Sequence, residues 1–353
     1  MTAGKPALSL SHLRFHLVAE QPLRLPAHNK GNALRGGFGS AFRRLVCVDM
    51  RWECVTCSLR CRCPYTMVFN PFIPPDAPQF SGNRNIPRPF VFKPPLSLQT
   101  AYIAGESLVF DLVVVGQALD YLPYFIVAFR ELGASGFGLN RARFRLDRAE
   151  SLDRGAAATP VYDAASNVVR PPTPMAMEVV GSRPTGASVE ALTPSLSQGE
   201  REQERNPTGD RLPATDYTLT LDFLTPTTLT IGSAVGRAGD LVRRPAFHHV
   251  VKRLRDRVNA LATFYGDGPL DLDFKALGAA AEGVETVEDR THWVERTRFS
   301  RHRGVQHDLS GFIGSLQVRG DLAPFLPLLR IGEYVHVGKN AVFGNGWLQI
   351  RHV

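Results

Sequence analysis

Residues 311–351 read GFIGSLQVRGDLAPFLPLLRIGEYVHVGKNAVFGNGWLQIR, and residues 106–146 read ESLVFDLVVVGQALDYLPYFIVAFRELGASGFGLNRARFRL. Each opens on an alternating apolar run that ends in glycine (Gly320, Gly116) and carries proline seven residues later (Pro327, Pro123). Each then passes through an apolar pattern of helical spacing and a glycine-rich turn into a last alternating run. Period two predicts a strand and period 3.6 a helix, and a proline just inside a helix start is where proline does least harm. The two stretches are copies of one strand–helix–turn–strand design.

The upstream parts correspond as well. Leu8–Glu20 and Tyr217–Leu224 read as strands from their apolar and β-branched content. Asn32–Val46 has Leu34, Phe38, Phe42 and Leu45 at helical spacing, with Asn32 as N-cap. Phe247–Phe264 has Val250, Val251, Leu254, Val258 and Leu261 on one face, and residues 292–303 and 309–319 follow as two strands. Each half reduces to β-α-β-β-α-β, the ferredoxin-like or RRM-like unit. The expected fold is therefore α+β: residues 1–169 form one ferredoxin-like domain with a cysteine-rich insertion (47–63), and 216–353 a second with a glycine-rich loop (336–346). Residues 170–215, rich in Pro, Ser, Thr, Gly and charge, read as a low-complexity linker or insertion. Residues 160–169 are expected to form a hairpin belonging to the first half.

Over 353 residues, 41 Lys and Arg stand against 33 Asp and Glu, a net charge of +8. That balance favours a polyanionic partner, of which nucleic acid is the commonest. No segment has the run of about 18 apolar residues that a membrane helix needs, and the N-terminus lacks a signal-peptide core. A cytoplasmic, membrane-free protein is expected. All five cysteines fall between positions 47 and 63, in the pattern Cys47-x6-Cys54-x2-Cys57-x3-Cys61-x-Cys63. A secreted, disulfide-stapled protein spreads its cysteines more widely. Cys47, Cys54, Cys57 and Cys63 are the expected ligands of a structural Zn2+, with Cys61 the spare. An iron–sulfur cluster on the same thiolates, or reduced thiols without metal, are the alternatives. Four protein ligands leave no open position, so such a metal holds a loop and no catalytic metal is expected.

The second dense stretch is LPAHNKGNALRGGFGSAFRR, Leu25–Arg44. Gly36, Gly37 and Gly39 within one helix cost about 1 kcal/mol each against alanine, so something approaches that backbone closely. It is either another protein segment or an RNA backbone met by Arg35, Arg43 and Arg44. His28 and Lys30 lie on the loop just ahead, and His336 and Lys339 lie on the C-terminal glycine-rich loop. These two histidines differ from the other eight because each is in a glycine-bearing, lysine-adjacent loop. GKNAVFG has a lysine but lacks the spacing and hydroxyl of a nucleotide-binding P-loop.

LRGGFGSAFRR, CVTCSLRCRCPY, FLTPTTL and GDLAPFLPLLRIGEYVHVGKNAVFGNG, set in this tandem plan, resemble the RAMP superfamily. Within it they resemble the CRISPR-associated endoribonucleases of family six, which cut precursor CRISPR RNA in its repeats. The family's loop is G-h-G-x5-G-h-G; Gly338, Gly344 and Gly346 match it, and His336 replaces the first glycine. The resemblance implies metal-independent cleavage by the ribose 2′-hydroxyl, leaving 2′,3′-cyclic phosphate and 5′-hydroxyl ends. It also implies a histidine near the first helix as acid or base, here His28, with Lys30 or Arg35 as the cation. His336 and Lys339 are the rivals, and the two sets converge if the C-terminal loop packs on the first helix. RNA contacts are expected from Arg35, Arg43, Arg44, Gly338, Lys339, Gly344 and Gly346, and partners are repeat RNA and other CRISPR effector-complex subunits. The alternative function is a non-catalytic RAMP subunit that binds and scaffolds CRISPR RNA.

Overall fold

The first strand, β1 (Leu8–Ala19), sorts its side chains by period two. Leu13, Phe15 and Leu17 enter one apolar core, whereas Leu8 and Leu10 enter another on the opposite side. The computed structural model describes residues 8–73, 86–178, 217–232, 239–300 and 305–352. After β1 come helix α1 (Lys30–Val46), the short α2 (Pro64–Phe69), strands β2 (Phe90–Lys93) and β3 (Ser107–Val115), helix α3 (Leu122–Ser135), and strands β4 (Phe144–Leu152) and β5 (Ala158–Asp163). The sheet order is β2-β3-β1-β4-β5, antiparallel throughout, which contains the ferredoxin-like arrangement. Val168–Val169 completes the hairpin expected at 160–169, and Met175–Met177 pairs with the start of β1. The first sheet thus reaches beyond residue 169. Residues 179–216, most of the expected linker, lie outside the described residues.

The second half repeats the plan. Strand β6 (Tyr217–Thr227) leads to α4 (Phe247–Tyr265), α5 (Phe274–Glu282), β7 (Glu285–Asp289), β8 (His292–Val294), β9 (Thr297–Ser300), β10 (Val305–Asp308), β11 (Gly311–Gly320), α6 (Leu326–Val335) and β12 (Leu348–His352). Its sheet order is β7-β11-β6-β12. The paired prolines do the same work in both copies: Pro123 and Pro327 are each the second residue of their helix.

Three local expectations need correction. The N-cap of α1 is Asn29, not Asn32; it adopts φ 63°, and its carbonyl accepts from the Asn32 and Ala33 amides (3.0 and 3.2 Å). Asparagine tolerates that left-handed backbone better than most residues. Residues 292–303 are not one strand. Gly314 takes φ 112° against the Arg290 carbonyl and interrupts the edge pairing of β11 between β7 and β8. β9 then leaves the sheet to pair with β10. Helix α5 has no sequence counterpart above, although Asp273 caps it through the Lys275 and Ala276 amides (3.0 and 2.9 Å).

Phenylalanine fills the core between the first sheet and its helices. Phe38 of α1 lies 4.8 Å from Phe129, 5.0 Å from Phe125 and 5.2 Å from Phe69. Two of the three helical glycines are met by protein: Gly37 abuts Leu132 and Gly39 abuts the Phe69 ring, while Gly36 has open space. The other face of the sheet (Leu10, Val91, Val113, Val115) shares a core with Val250, Val251 and Leu254 of α4 and with Leu328 and Leu329 of α6. Tyr265 Oη donates to the Pro87 carbonyl (2.9 Å). The two domains therefore meet through apolar burial, the dominant favourable contribution to folding.

A charged cluster lies on the same face. Arg14 Nε donates to Asp111 Oδ1 (2.8 Å) and His12 Nε2 donates to Asp111 Oδ2 (3.0 Å). Burial alone would raise the Asp111 pKa, but the hydrogen bonds and charges of His12 and Arg14 prevail and bring it to about 2. A lowered carboxyl pKa gives stability that is present above the unfolded value and is lost as pH falls through the folded one. The window here is about pH 4 down to about pH 2, and the gap corresponds to about 2 kcal/mol. Urea denaturation should show D111N less stable than wild type by about that amount near pH 6, the difference closing as pH approaches about 2. An unchanged difference at both pH values would mean that the carboxylate's charge is not what matters.

Candidate nucleic-acid interface

The N-terminus of α1 and the C-terminal glycine-rich loop are built against each other. A Cβ on Gly31 would lie 2.1 Å from the Phe343 carbonyl oxygen, so only glycine allows the loop to sit there. Residues Ala341–Phe343 form a single 3-10 turn between Asn340 and Gly344, both left-handed. The Phe343 ring carries two guanidinium groups, Arg35 at 5.1 Å and Arg298 at 4.8 Å from its centroid. Arg298, from β9, also donates to Asn32 Oδ1. His307 stands opposite Arg298 in the β9–β10 register, and Asn340 Nδ2 donates to the Asp308 carbonyl (3.4 Å). One helix start, one loop and one hairpin, from both domains, thus form a basic seam centred on an aromatic ring.

The predicted site residues divide. His28 is exposed, three residues before Gly31, and Lys339 is exposed on the loop. Arg35 is at the seam. Lys30 is only 2% exposed. Its ammonium donates to the carbonyls of Ala27 (3.4 Å) and Ser97, and burial lowers its pKa. It ties the His28 loop down instead of facing a ligand. Arg43 and Arg44 belong to the far end of α1. Arg43 Nη2 donates to the Met50 and Trp52 carbonyls (3.1 and 2.9 Å), and Arg44 reaches Ser135 Oγ (3.4 Å). Sequence reasoning did not single out Arg298, Asn32 or Phe343 as site residues. The only prior signal was an aromatic residue inside a glycine turn.

The glycines of the loop turn toward the protein. Side chains at Gly338 and Gly344 would meet the Thr228 carbonyl and Pro94, and one at Gly346 would lie 1.8 Å from the Val337 carbonyl. The amides of Val337, Lys339, Phe343, Gly344 and Gly346 all donate to carbonyls of this chain. The loop is a packing device rather than an open nest of N–H groups.

His336 is wholly buried, at 0% exposure. Its backbone, φ 62° and ψ 170°, lies in a region that only glycine occupies readily. Nδ1–H donates to the Asn345 carbonyl (3.1 Å), the ring stacks on Trp347 at 5.6 Å and 15°, and Nε2 has no hydrogen-bond partner. Burial, then the positive charge of Lys93, push its pKa well below the ordinary value, so it stays neutral. Lys93 covers the same Trp347 ring at 4.6 Å, and burial lowers its pKa to about 8. His336 is a core group held at a glycine position.

The cysteines do not assemble a ligand set. Among the described residues, no group of three or more His, Cys, Asp or Glu side chains is arranged to hold a metal ion. Cys47, Cys54, Cys57 and Cys63 are half-buried around a cavity of about 160 Å3, and Cys61 is exposed and outside it. The four cysteines therefore line one space without closing a ligand set around it.

Fold and seam together define a tandem ferredoxin-like protein with arginines gathered over an aromatic ring where its two domains meet. No helix among the described residues is long and apolar enough to cross a membrane. Residues 221–348 match the family model of the CRISPR-associated endoribonuclease Cas6. Residues 8–174 match a separate model, the AF_1859 N-terminal domain. A protein of Archaeoglobus fulgidus with no assigned function is 25% identical over 98% of this chain and 99% of its own length. A Thermus thermophilus Cas6 in a product complex has the same fold, with a TM-score of 0.52 and 16% identity over 97% of this chain and 100% of that one. The Cas6-bearing chain of a partial Cas6-RT-Cas1–Cas2 complex aligns with a TM-score of 0.54 and 14% identity over all of this chain, which spans 47% of it.

The strain at His336 gives a measurable ordering. H336A keeps the unfavourable backbone and loses the ring stacking; H336G loses the stacking but relieves the backbone. H336A should be the less stable of the two by about 1 kcal/mol in chemical denaturation. Equal stabilities would mean that no strain is held there.

Proposed function

We propose that this protein cleaves precursor CRISPR RNA within its repeats. The observation that carries the reading is the convergence of the His28 loop, the glycine-rich loop and Arg298 at one interdomain seam. RNA phosphates would lie along Arg35, Arg298 and Lys339, with an unstacked base offered to the Phe343 ring. His28, exposed at the edge of the seam, takes the proton of the ribose 2′-hydroxyl. The 2′-oxygen then bonds to the adjacent phosphorus as the P–O5′ bond breaks, leaving a 2′,3′-cyclic phosphate. The departing 5′-oxygen takes its proton from solvent or from the Lys339 ammonium. Arg35 and Arg298 offset the charge that builds on the phosphorane, a contribution that grows where water is excluded. No metal takes part in this scheme, and the product guide RNA stays bound in company with other CRISPR proteins.

Lys30 and His336 are both buried, which removes two of the three sequence candidates and favours a second reading, a subunit that binds CRISPR RNA without cutting it. Incubation with cognate repeat RNA in EDTA separates the two. The expected result is a cyclic-phosphate product, abolished by 2′-deoxy substitution at the cut site. H28A should lower the single-turnover rate by about 10²–10⁴-fold with little change in RNA affinity. Tight binding without cleavage by wild type would favour the scaffold. Full activity of H28A would remove His28 from the mechanism.

A further inference from the structure

The segment from Cys47 to Cys63 has no role in the seam and poor means of holding its own shape. Val48, Met50, Trp52, Val55 and Leu59 are all exposed large apolar residues, and turns are the only order between α1 and α2. A short segment without a core of its own ordinarily needs a covalent or metal staple. The cavity it encloses is lined by Cys47, Cys54, Cys57 and Cys63 together with Trp52, Leu59, Arg62 and Tyr65. Four of the five cysteines line one space, and the fifth, Cys61, does not.

We propose that this cavity takes one zinc ion on the thiolates of Cys47, Cys54, Cys57 and Cys63. The donor set fits: Cys54-x2-Cys57 is a knuckle spacing, and soft thiolates select zinc over hard cations. The outer two ligands sit at helix ends, Cys47 as the C-cap of α1 and Cys63 as the N-cap of α2. Ligation would draw the four sulfurs inward and clamp these helices together where Phe69 of α2 meets Phe38 and Phe42 of α1 at 5.2 and 5.4 Å. Zinc replaces four thiol protons, which leave to solvent, and the resulting centre carries two negative charges. Two cations stand ready to offset them. Arg62 lines the cavity, and Arg43, whose charge acts on Cys54, already holds the insertion through the Met50 and Trp52 carbonyls. Because all four positions are filled by protein, the metal is structural and acts on the site only by fixing the far end of α1.

The test is elemental analysis of the purified full-length chain beside C54S and C61S. Wild type and C61S should carry about one zinc per chain, and C54S about tenfold less. Since C54S could fail to fold, a second measurement uses the wild-type and C61S proteins alone. Replacement of the metal by Co2+ should give thiolate charge-transfer absorption and tetrahedral d–d bands of equal strength in both. Wild type purified folded without stoichiometric metal would overturn the proposal, as would zinc loss in C61S, or iron with acid-labile sulfide in place of zinc.

Discussion

The carbonyl oxygen of Phe343 occupies the space where a side chain on Gly31 would begin. Nothing larger than hydrogen fits, so the start of α1 and the C-terminal loop are fixed relative to each other by contact of backbone on backbone. From that contact follow the position of the Phe343 ring, the two guanidinium groups over it, and the tether from Arg298 to Asn32. The His28 loop is held from below by the Lys30 ammonium. Each half alone would present only a fragment of this arrangement.

Glycine and lysine in a loop suggest phosphate binding, and here the physics divides the two. The glycines serve close packing, and the loop's amides are largely used within the chain. Cationic side chains must then supply the attraction for a polyanion. Arginine over an aromatic ring suits that task, because the guanidinium is weakly hydrated and keeps its charge at any physiological pH.

The architecture was legible because it is written twice: glycine, then proline seven residues on, then a glycine turn, in two copies that each fold as β-α-β-β-α-β. Local periodicity carried that information. It could not foresee the Gly314 kink that splits the edge pairing between β7 and β8, because glycine in a strand pattern reads the same whether or not the strand bends. The placement of His28 on an exposed loop and of Arg35 on α1 was legible. Lys30 was not, since its capture by the Ser97 carbonyl joins residues 67 positions apart. His336 was misleading for a different reason. Its neighbours Val335 and Val337 are fully buried and Trp347 covers its ring, an apolar setting that outweighs the glycine and lysine beside it.

The face of the first sheet that turns away from α1 and α3 is covered by α4 and α6 of the other copy. A tandem repeat is ordinarily a pair of modules, each able to open by itself. Here, loosening either copy would expose the sheet or the helices of its neighbour to water. The most protected amides of β1 and those of α4 should therefore exchange with solvent only through one global opening. The shared core ties the opening of one copy to that of the other.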